Sequence, residues 1–269
     1  MVESVDKVFA GSIPRLYEEY LVPLIFAPYA ADLARRITAI KPSSVLELAA
    51  GTGVVTRAVA KAIASPIVAT DLNAAMLEQA KSAWSERPVE WRVADAMKLP
   101  FDNASFDTVI CQFGWMFFPD KGAACAEARR VLRPGGTLLF NVWDRIEENE
   151  FADVVTGALT ERFPEKPPRF LARTPHGHFD RAAIEKYVSA GGFRAPPKIE
   201  TVTARSRGPT PRHPAIAYCQ GTPLRNEIEA LAPDGLAEAT AIAAAAIEKR
   251  FGSGAVDGKI QALVMTVQG

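Results

Sequence analysis

From Ser44 onward the chain alternates short apolar, β-branched runs with amphipathic stretches, and this alternation narrows its possible folds more than any other feature. SVLELAA (44–50) reads as a buried strand, VVTRAVAKAI as a helix and PIVATD as a second strand. NAAMLEQAKSAW follows as a helix with Met76, Leu77, Ala80 and Trp84 at helical spacing. VEWRVAD and SFDTVICQFG supply strands three and four. A helix runs over about 120–132, and TLLFNVWD, behind a Pro134-Gly135-Gly136 stop, supplies strand five. Apolar runs without clean polar alternation belong to strands covered on both faces, as in a parallel sheet. Strand and helix in repeated succession imply a doubly wound α/β fold with right-handed crossovers.

The alternation stops after Asp144. Residues 145–177 hold a helical stretch and the Pro-rich turn PEKPPRF; RAAIEKYVSAGGF is a helix closed by Gly191-Gly192, and KIETVTARS is a strand. Residues 213–251 read as helices, GLAEATAIAAAAIEKRF most clearly, and KIQALVMTVQ as a final strand. The sheet thus needs strands near 198–206 and 258–268 from beyond the helical insertions. The expected organisation over 1–269 is a single domain. Its core covers about 30–144, completed by about 178–206 and 258–269, with helical cover from about 1–29, 145–177 and 207–257.

Where strand one meets its helix stands Glu47-Leu48-Ala49-Ala50-Gly51-Thr52-Gly53. Ligands of open α/β sheets bind beyond the carboxyl ends of the strands, and glycines there let the backbone approach closely. A tight turn without a ligand would explain the glycines alone. Two acids shift the balance. Asp71 ends strand two, 20 residues after Gly51, where a carboxylate accepts from ribose hydroxyls. Asp95 ends strand three, next to Ala96, in reach of an adenine exocyclic amine. Each acid alone reads as a solvated loop residue or a helix cap; together, at neighbouring strand ends, they describe a nucleoside site. The dinucleotide fingerprint Gly-x-Gly-x-x-Gly is incomplete, because Thr56 stands at its third glycine.

At VLELAAGTG, IVATDLNAAML, VADAMKLPFDNASFDTVICQFGWMFF and EARRVLRPGGTLLFNVWD, across about 45–144, the chain resembles the class I S-adenosylmethionine-dependent methyltransferases. Within them it is most similar to the small-molecule branch that includes the ubiquinone and menaquinone methyltransferases, with weaker similarity through HFDRAAIEKYVSAGGF. The resemblance implies a Rossmann-like, seven-stranded, mainly parallel sheet whose last strand is antiparallel, plus helical cap insertions. It implies S-adenosylmethionine as cofactor and S-adenosylhomocysteine as product. Glu47 and the loop Ala49, Gly51, Thr52 and Gly53 would hold the methionine end, and Asp71 both ribose hydroxyls. Leu72 and Met76 would pack on the adenine, Asp95 and the Ala96 backbone would bind its N6, and Gln112 and Phe113 would lie beside the methionyl group. Tyr20, and with it Tyr17, would close over the cofactor, amphipathic packing being the other reading. One departure stands out: the resembled enzymes usually carry glycine where this chain has Ala49.

The expected reaction is methyl transfer to a small-molecule acceptor by in-line displacement, driven by alignment in a dry pocket and needing no dedicated base. No catalytic residue is assigned. A nicotinamide-dependent dehydrogenase would explain the Gly51-to-Asp71 spacing but not Asp95, Thr56 or the 40-residue lead before strand one. A catalytically inactive S-adenosylmethionine-binding regulatory protein is the alternative of a different class. Other candidates carry blander readings beside functional ones. Phe113, Trp115, Phe117 and Phe118 either pack a helix on the sheet or wall the acceptor site. His176 and His178 read as solvated loop or cap residues, with a general base for O-methylation as the alternative. Arg205, Arg207, Arg212 and His213 read as solvated charges, or as a greeting for an anionic acceptor.

Composition excludes several partners. The 31 Lys and Arg balance 31 Asp and Glu, which leaves no electrostatic footprint for nucleic acid, and no Asn/Asp-Pro-Pro-Tyr/Phe motif follows strand four. Cys111, Cys125 and Cys219 fit neither a zinc site nor a disulfide framework, so no metal is expected and a reducing, cytoplasmic compartment is. The first twenty residues have no apolar core of a signal peptide, and no run reaches the roughly 20 apolar residues of a membrane span.

Overall fold

The computed structural model describes residues 11–84 and 86–269, so the first ten residues of the expected helical cover lie outside the described residues. Seven strands, β1 (Val45–Glu47), β2 (Ile67–Asp71), β3 (Glu90–Val93), β4 (Phe106–Gln112), β5 (Leu132–Trp143), β6 (Lys198–Gly208) and β7 (Val256–Gln268), join in one sheet of order β3-β2-β1-β4-β5-β7-β6. β1 through β5 pair in parallel, and β7 lies antiparallel to β5, from Thr137↔Gln268 to Trp143↔Ala262. This is the Rossmann-like sheet that the sequence implies. The order reverses between β1 and β4, whose carboxyl ends diverge into separate connections. An open α/β sheet forms its ligand crevice there.

The apolar runs explain the strand positions. β1 is buried throughout, and Val45 and Ile110 share a core cluster with Leu33, Ile37, Val55, Val59, Ile67 and Leu139. β3, at the edge, is exposed at Glu90, Arg92 and Val93. Asn73 and Asp120 cap the helices Ala74–Ser82 and Lys121–Val131, each accepting a backbone N–H from the first turn. The Pro134-Gly135-Gly136 segment corrects one expectation. It is not a stop before strand five but an irregularity within β5, which pairs first through Phe106↔Leu132 and resumes at Thr108↔Thr137. Gly136 packs so closely that a Cβ would lie 2.8 Å from the Asp107 carbonyl oxygen.

The chain divides into two compact units. The sheet unit holds Pro28–Trp143, His178–Val202 and Ala262–Gly269. The helical unit holds the described residues up to Ala27, Asp144–Gly177 and Thr203–Gln261. Within the helical unit, Tyr17–Phe26 winds as a π-helix around Pro23, and the helix Leu236–Phe251 packs on Glu150–Arg162 and on Arg212–Gln220. Among the described residues, no single helix is long and apolar enough to cross a membrane.

Candidate functional site

The loop after β1 is tied down before any ligand enters. Leu48 N–H donates to the Ile110 carbonyl at 2.8 Å, Ala50 N–H to that of Thr70 at 2.9 Å, and Thr70 Oγ1 to that of Glu47 at 2.8 Å. Ala49, Gly51 and Gly53 all take positive φ, at 51°, 57° and 82°, and so fold the chain into a tight cradle. Gly53 begins the helix Val54–Ala62, and a Cβ there would stand 2.8 Å from the Trp91 ring, so no other residue fits. Thr52 is buried, and its Oγ1 has no hydrogen-bond partner.

Glu47 sits beneath this cradle, 1% exposed, its carboxylate accepting from Thr56 Oγ1 at 2.6 Å. Burial pushes its carboxyl up to about 8, and the nearby Asp71 adds to the rise while Thr56 and Arg57 oppose it. Asp71 accepts Gly51 N–H and Asn73 N–H, each at 2.8 Å. Its burial raises its carboxyl as well, against those two bonds. A carboxylate offers about four lone-pair sites, so roughly two remain for a diol.

Leu72 and Val93 are the strongest exposures of large apolar side chains on the sheet unit, at 61% and 55%. Leu72 follows Asp71, whose register partner is Val93, so an uncovered apolar surface borders the carboxylate. Asp95 accepts Met97 N–H at 2.8 Å in a turn that begins beyond β3. Met76 and Ala96 are buried at 4% and 7% exposure. Gln112 ends β4, opposite Asn141 of β5, and Phe113 follows it.

Twelve of the thirteen residues expected to hold a cofactor therefore lie in the sheet unit, at the carboxyl ends of β1, β2, β3 and β4 or in the segments that follow. Tyr20 belongs to the helical unit, where its ring packs 4.8 Å from that of His213; Tyr17 stacks on Phe26 at 4.9 Å.

Sequence reasoning missed Asn141, Trp143 and Val93. Phe113 takes φ of 52°, uncommon for a bulky side chain, and is held there from β5. Its N–H donates to Asn141 Oδ1 at 2.9 Å, and its ring stacks on Trp143 with centroids 3.8 Å apart and planes 4° from parallel. Only the strand register brings these residues together. Asn141→Ala leaves the Phe113 N–H only the Asn141 carbonyl, at 3.3 Å, and we expect a loss of about 0.5–1.5 kcal/mol, roughly 1–6 °C in Tm, measured by scanning calorimetry.

Other candidates resolve differently. His176 is not a solvated loop residue: it is 5% exposed, with Nδ1 2.9 Å from the Asp144 carbonyl oxygen, and burial holds it down to about 4. His178 is lowered to about 4 by burial and by Lys121, so both rings are neutral at pH 7. Arg205 and Arg207, on β6, share the two oxygens of Asp257 at 2.7 and 3.0 Å. Burial pushes the Cys111 thiol up to about 12, as for a small core hydrophobe.

The methyltransferase-domain family matches residues 46–140. The chain is 35% identical over 164 residues to the ubiquinone/menaquinone biosynthesis C-methyltransferase UbiE of Burkholderia vietnamiensis, covering 56% of this chain and 67% of that one. Among solved structures it is similar to Haemonchus contortus phosphoethanolamine N-methyltransferase 2 bound to phosphomonomethylethanolamine and S-adenosylhomocysteine. The TM-score is 0.61 at 18% identity, over 98% of this chain and 59% of that one. The YcgJ protein of Bacillus subtilis gives 0.55 at 18% identity, over 90% and 98%. The chain belongs to the class I S-adenosylmethionine-dependent methyltransferases. It is an S-adenosylmethionine-dependent methyltransferase, and S-adenosylmethionine is its cofactor.

Proposed function

We propose that this enzyme methylates a small-molecule acceptor and holds its cofactor at the carboxyl ends of β1 to β4. The observation that carries the placement is Asp71, a buried carboxylate with unused acceptor capacity beside the cradle of positive-φ residues. The unpartnered Thr52 Oγ1 and the bare Leu72–Val93 surface fit the same group, as polar and apolar contacts that a nucleoside with an amino-acid tail would complete.

Asp71 accepts from the ribose hydroxyls, Leu72 covers the adenine face with Met76 behind it, and Asp95 with the Ala96 backbone receives the adenine N6. Glu47 lies under the methionine end, where a buried carboxylate balances cationic charge, and Ala49, Gly51, Thr52 and Gly53 wrap that end. Gln112 and Phe113 flank the methionyl group. When bound, the cofactor supplies a sulfonium-activated methyl group, passed to the acceptor by in-line displacement. The residues act by orientation and exclusion of water, which removes up to roughly 7–11 kcal/mol of barrier, so no general base is required. The two neutral histidines agree with this, since a base near 4 draws a proton from an alcohol poorly. The similarity to UbiE supports a small acceptor and carbon as the methylated atom.

Turnover of methyl-labelled S-adenosylmethionine on a panel of metabolites, phenolic and quinol rings included, tests the proposal. Label transfer to a small molecule supports it; transfer only to protein or nucleic acid overturns the acceptor class. Thermal stabilisation by NAD and not by S-adenosylhomocysteine would overturn the site.

A further inference from the structure

Ala49 departs from the glycine usual in the resembled enzymes, and its backbone conformation makes that choice unfavourable, since at φ of 51° an L-residue is disfavoured relative to glycine. The methyl group has a definite place. A Cβ built on Gly114 would stand 2.4 Å from the Ala49 methyl carbon and 2.9 Å from Cys111 Sγ. The Ala49 methyl therefore fills the space in front of Gly114, which Cys111 Sγ also bounds. Gly114 itself has φ of −92° and ψ of −30°, a conformation open to alanine, so the exclusion of a side chain at 114 is steric alone.

Gly114 adjoins Phe113, which Asn141 and Trp143 clamp from β5. The Ala49 methyl thus wedges the cradle after β1 against a turn after β4 that β5 already holds rigid. We propose that Ala49 is a positioning residue: through its contact with Gly114 it sets the spacing between the glycine cradle and the Phe113 turn, and thereby the affinity for the cofactor. This rests on the reading that those two segments hold the cofactor.

The experiment is a double-mutant cycle on the full chain, read by calorimetric titration with S-adenosylhomocysteine and by the Tm of the ligand-free protein. Ala49→Gly removes the wedge and relieves the φ strain, and is expected to weaken S-adenosylhomocysteine binding by about tenfold while Tm changes little. Gly114→Ala adds a methyl to the space the Ala49 methyl fills, and is expected to lower both affinity and Tm. Ala49→Gly/Gly114→Ala removes the contact with the Ala49 methyl but keeps the one with Cys111 Sγ, and is expected to recover part of the affinity that Gly114→Ala loses, so that the two effects are not additive.

Additive effects, or an Ala49→Gly protein that binds as the wild type does, overturn the proposal even if Gly114→Ala fails to fold. An affinity loss that only tracks a loss of Tm would make Ala49 merely structural and overturn it as well. Asp71→Ala serves as the reference. If that variant binds S-adenosylhomocysteine normally, the site assignment fails. If it loses binding while the cycle is additive, only the role of Ala49 fails.

Discussion

Asp71→Ala is expected to weaken binding of S-adenosylmethionine and S-adenosylhomocysteine by about 10²–10⁴-fold, measured by titration calorimetry. Two hydroxyl donors to a carboxylate contribute about 1.5–3 kcal/mol each, and each 1.4 kcal/mol is tenfold in affinity. The effect is large because the carboxylate does two things. It accepts from Gly51 N–H and Asn73 N–H, and it keeps acceptor sites for a diol. Asp71→Asn is expected to fare little better, because its NH₂ group would face one of those backbone donors instead of accepting from it. Retained circular dichroism would separate lost binding from lost folding. Affinity within threefold of the wild type would remove the ribose role.

Glu47→Gln is expected to abolish a pH dependence that the wild type shows. The Glu47 carboxyl is raised from an ordinary 4.5 to about 8, mainly by burial, so it is neutral in the folded chain where it would ionise in the unfolded one. Its contribution to stability is fully present below about 4.5 and is lost as pH rises through about 8. The wild-type unfolding free energy should fall over that window more steeply than that of Glu47→Gln, by an amount on the order of a few kcal/mol near pH 8, read by denaturant titration. Cationic ligand reverses the preference. S-adenosylmethionine binding near pH 7 should release a proton from Glu47, seen as a buffer-dependent binding enthalpy, and affinity should rise with pH. Arg57, Asp71 and Thr56 are the groups around it that set the window. Equal proton release by wild type and Glu47→Gln would show that another group titrates.

The strands of the sheet were legible because burial on both faces leaves a compositional mark: β1, β4 and most of β5 are almost continuously buried around short apolar segments, Val45-Leu46, Val109-Ile110-Cys111 and Leu138-Leu139-Phe140. Gly51, Asp71 and Asp95 were legible because strand ends fall at fixed places in a doubly wound sheet. What escaped is whatever depends on register or torsion. Asn141 reads as one polar residue in FNVWD, and only its pairing with Gln112 puts its amide under Phe113. The left-handed backbone at Ala49 and Phe113 leaves no trace in residue type. Leu132 joined β5 although Pro134-Gly135-Gly136 reads as a break, because a register shift opposite Phe106 and Thr108 absorbs the irregularity. The burial of His176 depends on Asp144 and its surroundings, beyond the reach of local spacing.

The pairing of β5 with β7 joins residues more than a hundred positions apart, Thr137 with Gln268 at one end and Trp143 with Ala262 at the other. A chain emerging from the ribosome builds β1 to β5 from local crossovers, yet the flank of β5 stays bare until β7 arrives. Until then, an apolar strand with open hydrogen-bonding groups is a template for any other extended segment. Assembly of this enzyme is therefore a race between its own thirteen-residue closing strand, Val256–Gln268, and its neighbours in a crowded polysome. Truncation ahead of Val256 should deliver aggregate rather than a smaller methyltransferase.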